Sequence, residues 1–202
     1  MRTGMLRGVM GILLVAGCDI TPYGSAADYW PGSEEIDIVM PAGALHIAQQ
    51  YRPPGVEGPG VHYGIDIWGP AGSPILAAAR GRVVRSFYEP LFGHQIIVDH
   101  GPDGAGERAF TWYKHLKTRD VLEGDQVARG AQIGTMGATG FQGLAVHLHF
   151  EVLHGPTRQK ADPVDPNLMW LDGVGRITCY DPSRHQPDQP FATTYPTPCK
   201  GV

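Results

Sequence analysis

The sequence has little charge, few cysteines and no long apolar run, and each shortage limits what the protein can be. Charged residues make up 18% of the 202 residues and the formal net charge is -4, so no basic surface is available to neutralise phosphates and we expect no nucleic-acid partner. No apolar run is long enough to span a bilayer as a permanent helix. The length suits one folded domain with tails.

Glycine and proline, by contrast, are abundant, with 28 and 18 residues. This composition favours short strands with many turns over long helices. We therefore predict an all-β fold, with antiparallel sheets of short strands joined by hairpins and long loops. The apolar runs that predict strands, each bounded by turn signals, cover residues 36–40, 61–68, 75–79, 82–88, 95–100, 109–116, 126–127, 132–136 and 146–153.

The first residues have the pattern of an export signal. Arg2 and Arg7 precede an apolar run at residues 9–15, which is too short for a permanent membrane span but suits secretion. The run is followed by Ala-Gly-Cys, and this end resembles the lipobox of bacterial lipoproteins, in which the cysteine, here Cys18, is lipidated. An ordinary signal peptide, or a buried apolar segment with an unrelated cysteine, is the alternative.

If Cys18 carries a lipid, residues 1–17 are a lipoprotein signal peptide and residues 18–35 link the anchor to a domain at residues 36–172. The protein is then held at a bacterial membrane through its lipid, within the cell envelope and facing the periplasm. Asp19 resembles the signal that keeps some Gram-negative lipoproteins at the inner membrane. That rule varies between lineages, so the choice between inner and outer membrane stays open.

The other two cysteines, Cys179 and Cys199, lie in a proline-rich segment at residues 173–202, which we expect to be a C-terminal tail. In an oxidising compartment we expect the two to form a disulfide. It would close a loop of about 20 residues and contribute about 3 kcal/mol to stability. Two buried thiols are the alternative, although the surrounding segment is too polar to bury much.

Nine histidines are more than packing needs in a chain of this size, and three groups of polar residues stand inside strand-like stretches. In one group, His147 and His149 are two positions apart, so on a strand they share a face while Leu148 and Phe150 face the core. Such a pair suits a metal ligand beside a second pocket residue. Two histidines on an exposed strand face are the alternative.

A second group holds His62 and Asp66, four positions apart on either side of Gly64. The β-branched neighbours favour an extended chain, on which the two side chains would lie roughly 13 Å apart, too far for one ion. We therefore predict a bend at Gly64 that brings them together. Two histidines and one carboxylate would leave the fourth zinc position open, which is the catalytic rather than the structural arrangement.

The third group ends in His115, which follows the aromatic residues Trp112 and Tyr113. By itself, a single histidine on a strand is more often structural than catalytic. The remaining histidines are assigned no function; they are His46, His94, His100, His154 and His185.

Three motifs in this order resemble the signature of the lysostaphin-type zinc metallopeptidases: His62-x-x-x-Asp66, Tyr113-x-His115-Leu116 and His147-x-His149-Phe150-Glu151. The likeness runs from about residue 50 to residue 168, over half of the chain, and the intervening stretches agree with it. The segment around Cys179 and Cys199 lies outside the resemblance.

Carried over position by position, the resemblance implies that His62, Asp66 and His149 bind one Zn²⁺ per chain. It implies that His115 and His147 are the catalytic pair that does not bind the metal. The activity it implies is hydrolysis of peptide bonds in the stem or cross-bridge peptides of peptidoglycan by water that the metal activates. Which histidine takes the proton is left open.

Two other functions stay open. The first is a non-catalytic module of the same type that binds or regulates cell-wall hydrolases, with cell-wall synthesis or division proteins as partners, although the chain retains the full ligand set. The second is a different zinc amidase or dipeptidase. Glu151, which continues the third motif, either orients a ligand or is a solvated carboxylate at a strand end.

Overall fold

A computed structural model describes residues 23–104 and 106–201, and within them the regular structure is almost entirely strand. The predicted signal peptide and Cys18 lie outside the described residues. Two short 3-10 helices, Arg158–Lys160 and Pro166–Leu168, are present in the described part, where no helix is long and apolar enough to cross a membrane. The strands are β1 (Ile47–Gln49), β2 (Ile65–Trp68), β3 (Pro74–Leu76), β4 (Gly81–Glu89), β5 (Gly93–Pro102), β6 (Arg108–Leu116), β7 (Thr118–Arg119), β8 (Gln126–Val127), β9 (Gln132–Thr135), β10 (His147–Gly155) and β11 (Asp162–Val164).

Two antiparallel sheets contain all of these strands. The main sheet has eight strands in the order β1-β2-β10-β6-β5-β4-β8, with β11 pairing with β10 beside β2. The small sheet has the order β3-β9-β7. The all-β, antiparallel fold predicted from the glycine- and proline-rich sequence is confirmed.

The core lies on one face of the main sheet. Along β10, Leu148 and Phe150 are fully buried in the core cluster, which also contains Ile75 of β3 and Ile133 of β9 from the small sheet. Burying such side chains stabilises the fold by about 1.5–3 kcal/mol each. The alternate residues of β10 face the opposite side of the sheet, where Leu153 joins a small buried cluster with Ile97 and Phe110 at one end and the end that holds His147 and His149 is left for a site.

Two features of the strand prediction are corrected by the structure. Residues 36–40 form no strand, because their only pairing is a single bridge between Val39 and Arg176. Alternation of apolar residues predicts a strand only where a neighbouring strand exists to pair with it. The short strands β1, β7 and β11 lie outside the predicted runs.

The segment expected to be a C-terminal tail is packed against the domain. Tyr195 is fully buried and its hydroxyl donates to Leu45 O at 2.7 Å. Arg129 donates to Ala192 O at 3.1 Å and to Pro187 O at 3.0 Å. Buried aromatic residues and backbone contacts therefore hold residues 173–201 in place.

The predicted disulfide is present in this packed segment. Cys179 and Cys199 are joined across a sequence separation of 20 residues. Cys199 is buried in the core cluster, against which Cys179 packs. The bond therefore fastens a segment that also makes its own contacts with the core.

Candidate metal centre

Three side chains from two separate segments meet at one end of the main sheet. His62 Nε2 lies 3.1 Å from both Asp66 Oδ1 and His149 Nδ1, and His149 Nδ1 lies 2.8 Å from Asp66 Oδ1. The pairing of β2 with β10 sets Asp66 directly opposite His149. Atoms that share one tetrahedral zinc at about 2.0–2.2 Å lie roughly 3.3 Å apart. The three observed spacings therefore suit a single ion.

The predicted bend at Gly64 explains how residues four apart reach one point. The chain bends at Gly64 between the bridge that His62 makes with Arg52 and the start of β2. A Cβ atom at Gly64 would lie 2.2 Å from the backbone oxygen of Phe150, closer than any real contact. Glycine is therefore required here because the backbone of β10 approaches this closely.

Hydrogen bonds on the far side of each imidazole fix which nitrogen carries the proton. Because a backbone oxygen only accepts, His62 Nδ1 donates to Gln50 O at 2.7 Å and Nε2 keeps its lone pair. Glu151 Oε1 likewise accepts from His149 Nε2 at 2.9 Å, which leaves the lone pair on Nδ1. When both imidazoles are neutral, two lone pairs and the Asp66 oxygen face one another with no proton between them. A cation satisfies all three, and this donor set fits zinc.

The electrostatics of the centre favour an ionised Asp66. Burial opposes its ionisation, but His149 and His62, which donate to Asp66 when their facing nitrogens are protonated, hold the pKa of Asp66 well below its usual value. Burial also disfavours a charged His149, while hydrogen bonds with Asp66 and Glu151 outweigh it and raise the pKa of that imidazole. A proton therefore competes with a cation for His149, because a histidine must be neutral to bind a metal.

Glu151 is buried behind His149 and paired with Lys114. It is 4% exposed, so it is not a solvated strand-end carboxylate. Lys114 Nζ lies 4.5 Å from the ring centroid of Phe92 and 4.3 Å from that of Trp112. Burial opposes ionisation of Glu151, but the hydrogen bond with His149 and the charge of Lys114 lower its pKa. An ionised Glu151 fixes the orientation of His149.

A β-bulge turns His115 into the same region. Between Tyr113 and Leu116, β6 has one residue more than the facing part of β5. His115 has φ of 61°, in the left-handed region that non-glycine residues seldom adopt. In a regular strand Lys114 and His115 would face opposite sides, yet both line the groove around the metal centre. The bulge therefore turns the His115 side chain toward the groove.

His115 and His147 each keep one ring nitrogen for chemistry. His115 Nδ1 donates to Thr139 O at 2.9 Å and His147 Nδ1 donates to Ala145 O at 2.8 Å, so Nε2 of each ring holds a lone pair. The two ring centroids are 4.6 Å apart, and His147 Nε2 lies 3.8 Å from Asp66 Oδ1. Burial lowers the pKa of His115 to about 4, so this imidazole is neutral near pH 7 and able to accept a proton.

The sequence of the region that builds this centre matches a known family. Residues 60–166 match the profile described as Peptidase family M23. The chain belongs to peptidase family M23. The resemblance to lysostaphin-type metallopeptidases drawn from the three motifs is thereby confirmed.

Relatives in family M23 share this domain. Peptidoglycan DD-endopeptidase ShyC of Vibrio cholerae is 38% identical over 118 residues, which are 58% of this chain and 26% of the relative. Lysostaphin of Staphylococcus staphylolyticus is 36% identical over 99 residues, which are 49% of this chain and 20% of the relative. The crystal structure of a zinc containing peptidase from Vibrio cholerae has a TM-score of 0.50 and 31% identity, covering 59% of this chain and 35% of that chain. The chain thus spans about a quarter or less of these curated relatives.

The candidate metal centre opens into a groove of 770 Å³. Apolar side chains line it from two segments, Val61 and Tyr63 beside the first motif and Phe141 and Leu144 in the loop before β10. Phe141 is 81% exposed and Leu144 91% exposed. Large apolar side chains left in solvent beside a polar centre are typical of a binding surface.

Several residues that fix the centre are not found by sequence reasoning. Gln50, Thr139 and Ala145 act through backbone oxygens, which give no signal in residue type. Lys114 gives no signal although it lies inside the second motif, because regular strand alternation places it on the face away from His115. A bulge predicted at that point would have found it.

Proposed function

We propose that this M23 chain is a zinc-dependent endopeptidase that hydrolyses peptide bonds in the stem or cross-bridge peptides of peptidoglycan. The observation that carries the proposal is the convergence of three metal-ligand atoms, His62 Nε2, Asp66 Oδ1 and His149 Nδ1, beside two imidazoles that each keep a lone pair. The names of two relatives, a peptidoglycan DD-endopeptidase and lysostaphin, support the substrate class.

In this proposal His62, Asp66 and His149 hold one zinc ion. Bound there, zinc supplies Lewis acidity, which polarises a peptide carbonyl and lowers the pKa of water. Glu151 and Gln50 O keep the far nitrogens of His149 and His62 protonated, so that the near nitrogens stay available as ligands.

The proton transfers belong to His115 and His147. Nε2 of either imidazole accepts the proton of the attacking water, and the imidazolium so formed donates a hydrogen bond to the developing oxyanion and then passes the proton to the leaving amine. The hydrogen bonds to Thr139 O and Ala145 O hold both rings with Nε2 free. One imidazole thus serves first as the base and then as the acid.

The location we propose is the bacterial cell envelope, with the chain facing the periplasm on a lipid at Cys18. The lipobox-like sequence supports the anchor, and the disulfide between Cys179 and Cys199 suits an oxidising compartment. A relative from Escherichia coli, 36% identical over 117 residues, is named as a lipoprotein, YgeR.

The test is incubation of the purified chain with peptidoglycan fragments, with mass spectrometry of the products and zinc measured in parallel. We expect a new amine and a new carboxylate at one peptide bond, loss of turnover with a chelator and recovery with zinc. Bound zinc without turnover on any stem or bridge peptide would refute the endopeptidase and favour the regulatory module. Release of a peptide from its glycan would point to an amidase instead.

A further inference from the structure

The groove around the proposed zinc site contains one charged side chain that no other feature accounts for. Four charged residues line it, and three have partners: Asp66 faces two histidines, and Lys114 pairs with Glu151. The fourth is Arg52. Within residues 23–104 and 106–201, no carboxylate oxygen lies within 4.0 Å of its guanidinium.

Backbone pairing directs Arg52 toward the metal centre. Its N–H donates to His62 O at 2.8 Å and its carbonyl accepts from His62 N at 2.9 Å. Residues paired in this way project their side chains from the same face of the two strands. Arg52 therefore leaves the backbone on the side on which His62 turns toward Asp66.

The guanidinium is held in place but not neutralised. Arg52 is 5% exposed, its Nε donates to Gly60 O, and its Cζ lies 5.4 Å from the ring centroid of Trp30. The two terminal nitrogens make no hydrogen bond with any described residue. Contact with the aromatic face compensates part of the desolvation of the cation. The N–H groups of these two nitrogens lie in one plane, with a spacing that matches the two oxygens of a carboxylate.

The surroundings of Arg52 make it the charge that a ligand would meet. The groove residues that lie close in sequence to His62, the backbone partner of Arg52, are uncharged: Pro59, Val61 and Tyr63. Water reaches these terminal nitrogens, and an anionic ligand group that forms two parallel hydrogen bonds with the guanidinium would replace that water with a charge-assisted contact. An uncharged ligand segment would instead leave the cation desolvated and unpaired.

We propose that Arg52 binds a carboxylate of the substrate peptide close to the scissile bond, so that the chain prefers acid-bearing stem peptides to uncharged bridges such as oligoglycine. This inference rests on the proposed peptidase function and names its substrate class. Arg52 is then a specificity-determining residue that acts on substrate affinity.

The test compares two peptides that differ only in their side-chain carboxylates, which are free in one stem peptide and amidated in the other. For the zinc-loaded wild-type chain we expect kcat/KM about 10- to 100-fold higher for the acidic peptide, the range of one charge-assisted pair. Arg52→Gln should remove this preference by raising KM for the acidic peptide while kcat stays nearly unchanged. Arg52→Lys keeps the charge and should keep part of the preference.

Two controls separate a structural role from recognition. Thermal unfolding of Arg52→Gln and Arg52→Lys reports whether either variant disturbs the loop that contains Gly60. If both peptides lose the same factor in Arg52→Gln while Arg52→Lys behaves like wild type toward both, the role of Arg52 is electrostatic support of the groove and the inference is overturned. Equal kcat/KM for the two peptides in the wild type overturns it as well.

A binding measurement distinguishes failure of the inference from failure of the proposed function. Calorimetric titration of the chelator-treated chain with each peptide requires no turnover. If neither peptide is cleaved by the zinc-loaded chain but the acidic one binds tightly only when Arg52 is present, the endopeptidase fails and the carboxylate site stands. If both are cleaved and bound equally, the endopeptidase stands and the carboxylate site fails.

Discussion

The metal centre and the packed segment at residues 173–201 use buried polar groups in opposite ways. At the centre, His62, Asp66 and His149 direct acceptor atoms at one another. In the C-terminal segment, two backbone oxygens accept hydrogen bonds from Arg129, so these acceptors have donors within the protein. The acceptor atoms at the centre need a cation between them, whereas the backbone oxygens of the C-terminal segment are satisfied when the chain folds.

The backbone also has a different role in each of the two regions. The metal centre depends on a bend at Gly64 and on a bulge with a left-handed His115, which cost stability and place side chains. The C-terminal segment is fastened by the disulfide and by buried Tyr195, which add stability and place no functional group. Changes in the first region should therefore remove function and spare the fold, and changes in the second should do the reverse.

The largest effect is expected from His149→Ala. This variant removes one of the three proposed ligand atoms, so bound zinc should fall from the proposed one per chain to near zero and turnover should fall below detection. Metal content by mass spectrometry and hydrolysis of peptidoglycan fragments check this. His185→Ala, in an exposed histidine outside the groove, is the matched control and should keep both. Retained stoichiometric zinc in His149→Ala would contradict the assignment.

His115→Ala should separate catalysis from metal binding. Since His115 Nδ1 is bonded to Thr139 O and no atom of the ring belongs to the ligand set, zinc content should be unchanged. Loss of one proton-transfer group should lower kcat by about 10²- to 10⁴-fold. Steady-state kinetics with zinc measured on the same sample tests this. Loss of zinc equal to that in His149→Ala would overturn the division of roles.

The opposite outcome is expected in the C-terminal segment. Cys179→Ser combined with Cys199→Ser opens a loop of 20 residues and should lower the free energy of unfolding by about 3 kcal/mol, measured by denaturant titration. At 25 °C the folded fraction should keep its zinc and its kcat. Loss of turnover while the variant is still folded would show that this segment supports the groove, and the contrast between the two regions would fail.

A smaller effect on metal affinity is expected from Glu151→Gln. The amide can still accept from His149 Nε2, but the charge that fixes the tautomer and pairs with Lys114 is lost. Affinity for zinc should fall by about 10- to 100-fold, as measured by competition with a chelator of known affinity. Glu123→Gln, in an exposed carboxylate, is the control. Equal affinities in the two variants would mean that Glu151 only fills space.

The sequence predicts the regular part of this fold well, because a two-residue period is a property of the sequence itself. Leu148 and Phe150 are buried, and His147 and His149 share the other face, as alternation requires. The bend at Gly64 was also predictable, since a straight strand keeps His62 and Asp66 apart. Residues 36–40 show the limit, because their alternation has no partner strand.

Interactions that depend on distant backbone were beyond sequence reasoning. The bulge in β6 arises from its register with β5, so the residue types around Lys114 and His115 do not indicate that both face the groove. Arg52 gave no signal either, because its partner is His62, ten positions away across a bridge outside the named strands. The packing of Tyr195 on Leu45 joins residues 150 positions apart.

The smallest effect concerns pH and the place where the C-terminal segment meets the sheet. His100 Nδ1 donates to Arg80 O at 2.7 Å, Nε2 lies 2.8 Å from Thr111 Oγ1, and the ring lies 5.1 Å from that of Phe191. Burial lowers the pKa of His100 to about 4, below its value of about 6.5 in an unfolded chain. Between these two values the unfolded state binds the proton and the folded state does not, so stability falls as the pH drops through that window.

We therefore expect His100 to reduce the free energy of unfolding by about 1 to 2 kcal/mol between pH 7 and pH 5. His100→Gln removes the titrating group, so its denaturant midpoint should change less over this range than that of the wild type, although its stability at pH 7 should be lower because the fixed contacts with Arg80 and Thr111 are altered. The measurement is the difference between the two pH profiles, because the contribution of the carboxylates is the same in both proteins and cancels. Parallel profiles would show that the folded and unfolded chains bind the His100 proton equally, so that the contact between the C-terminal segment and the sheet contributes no pH dependence.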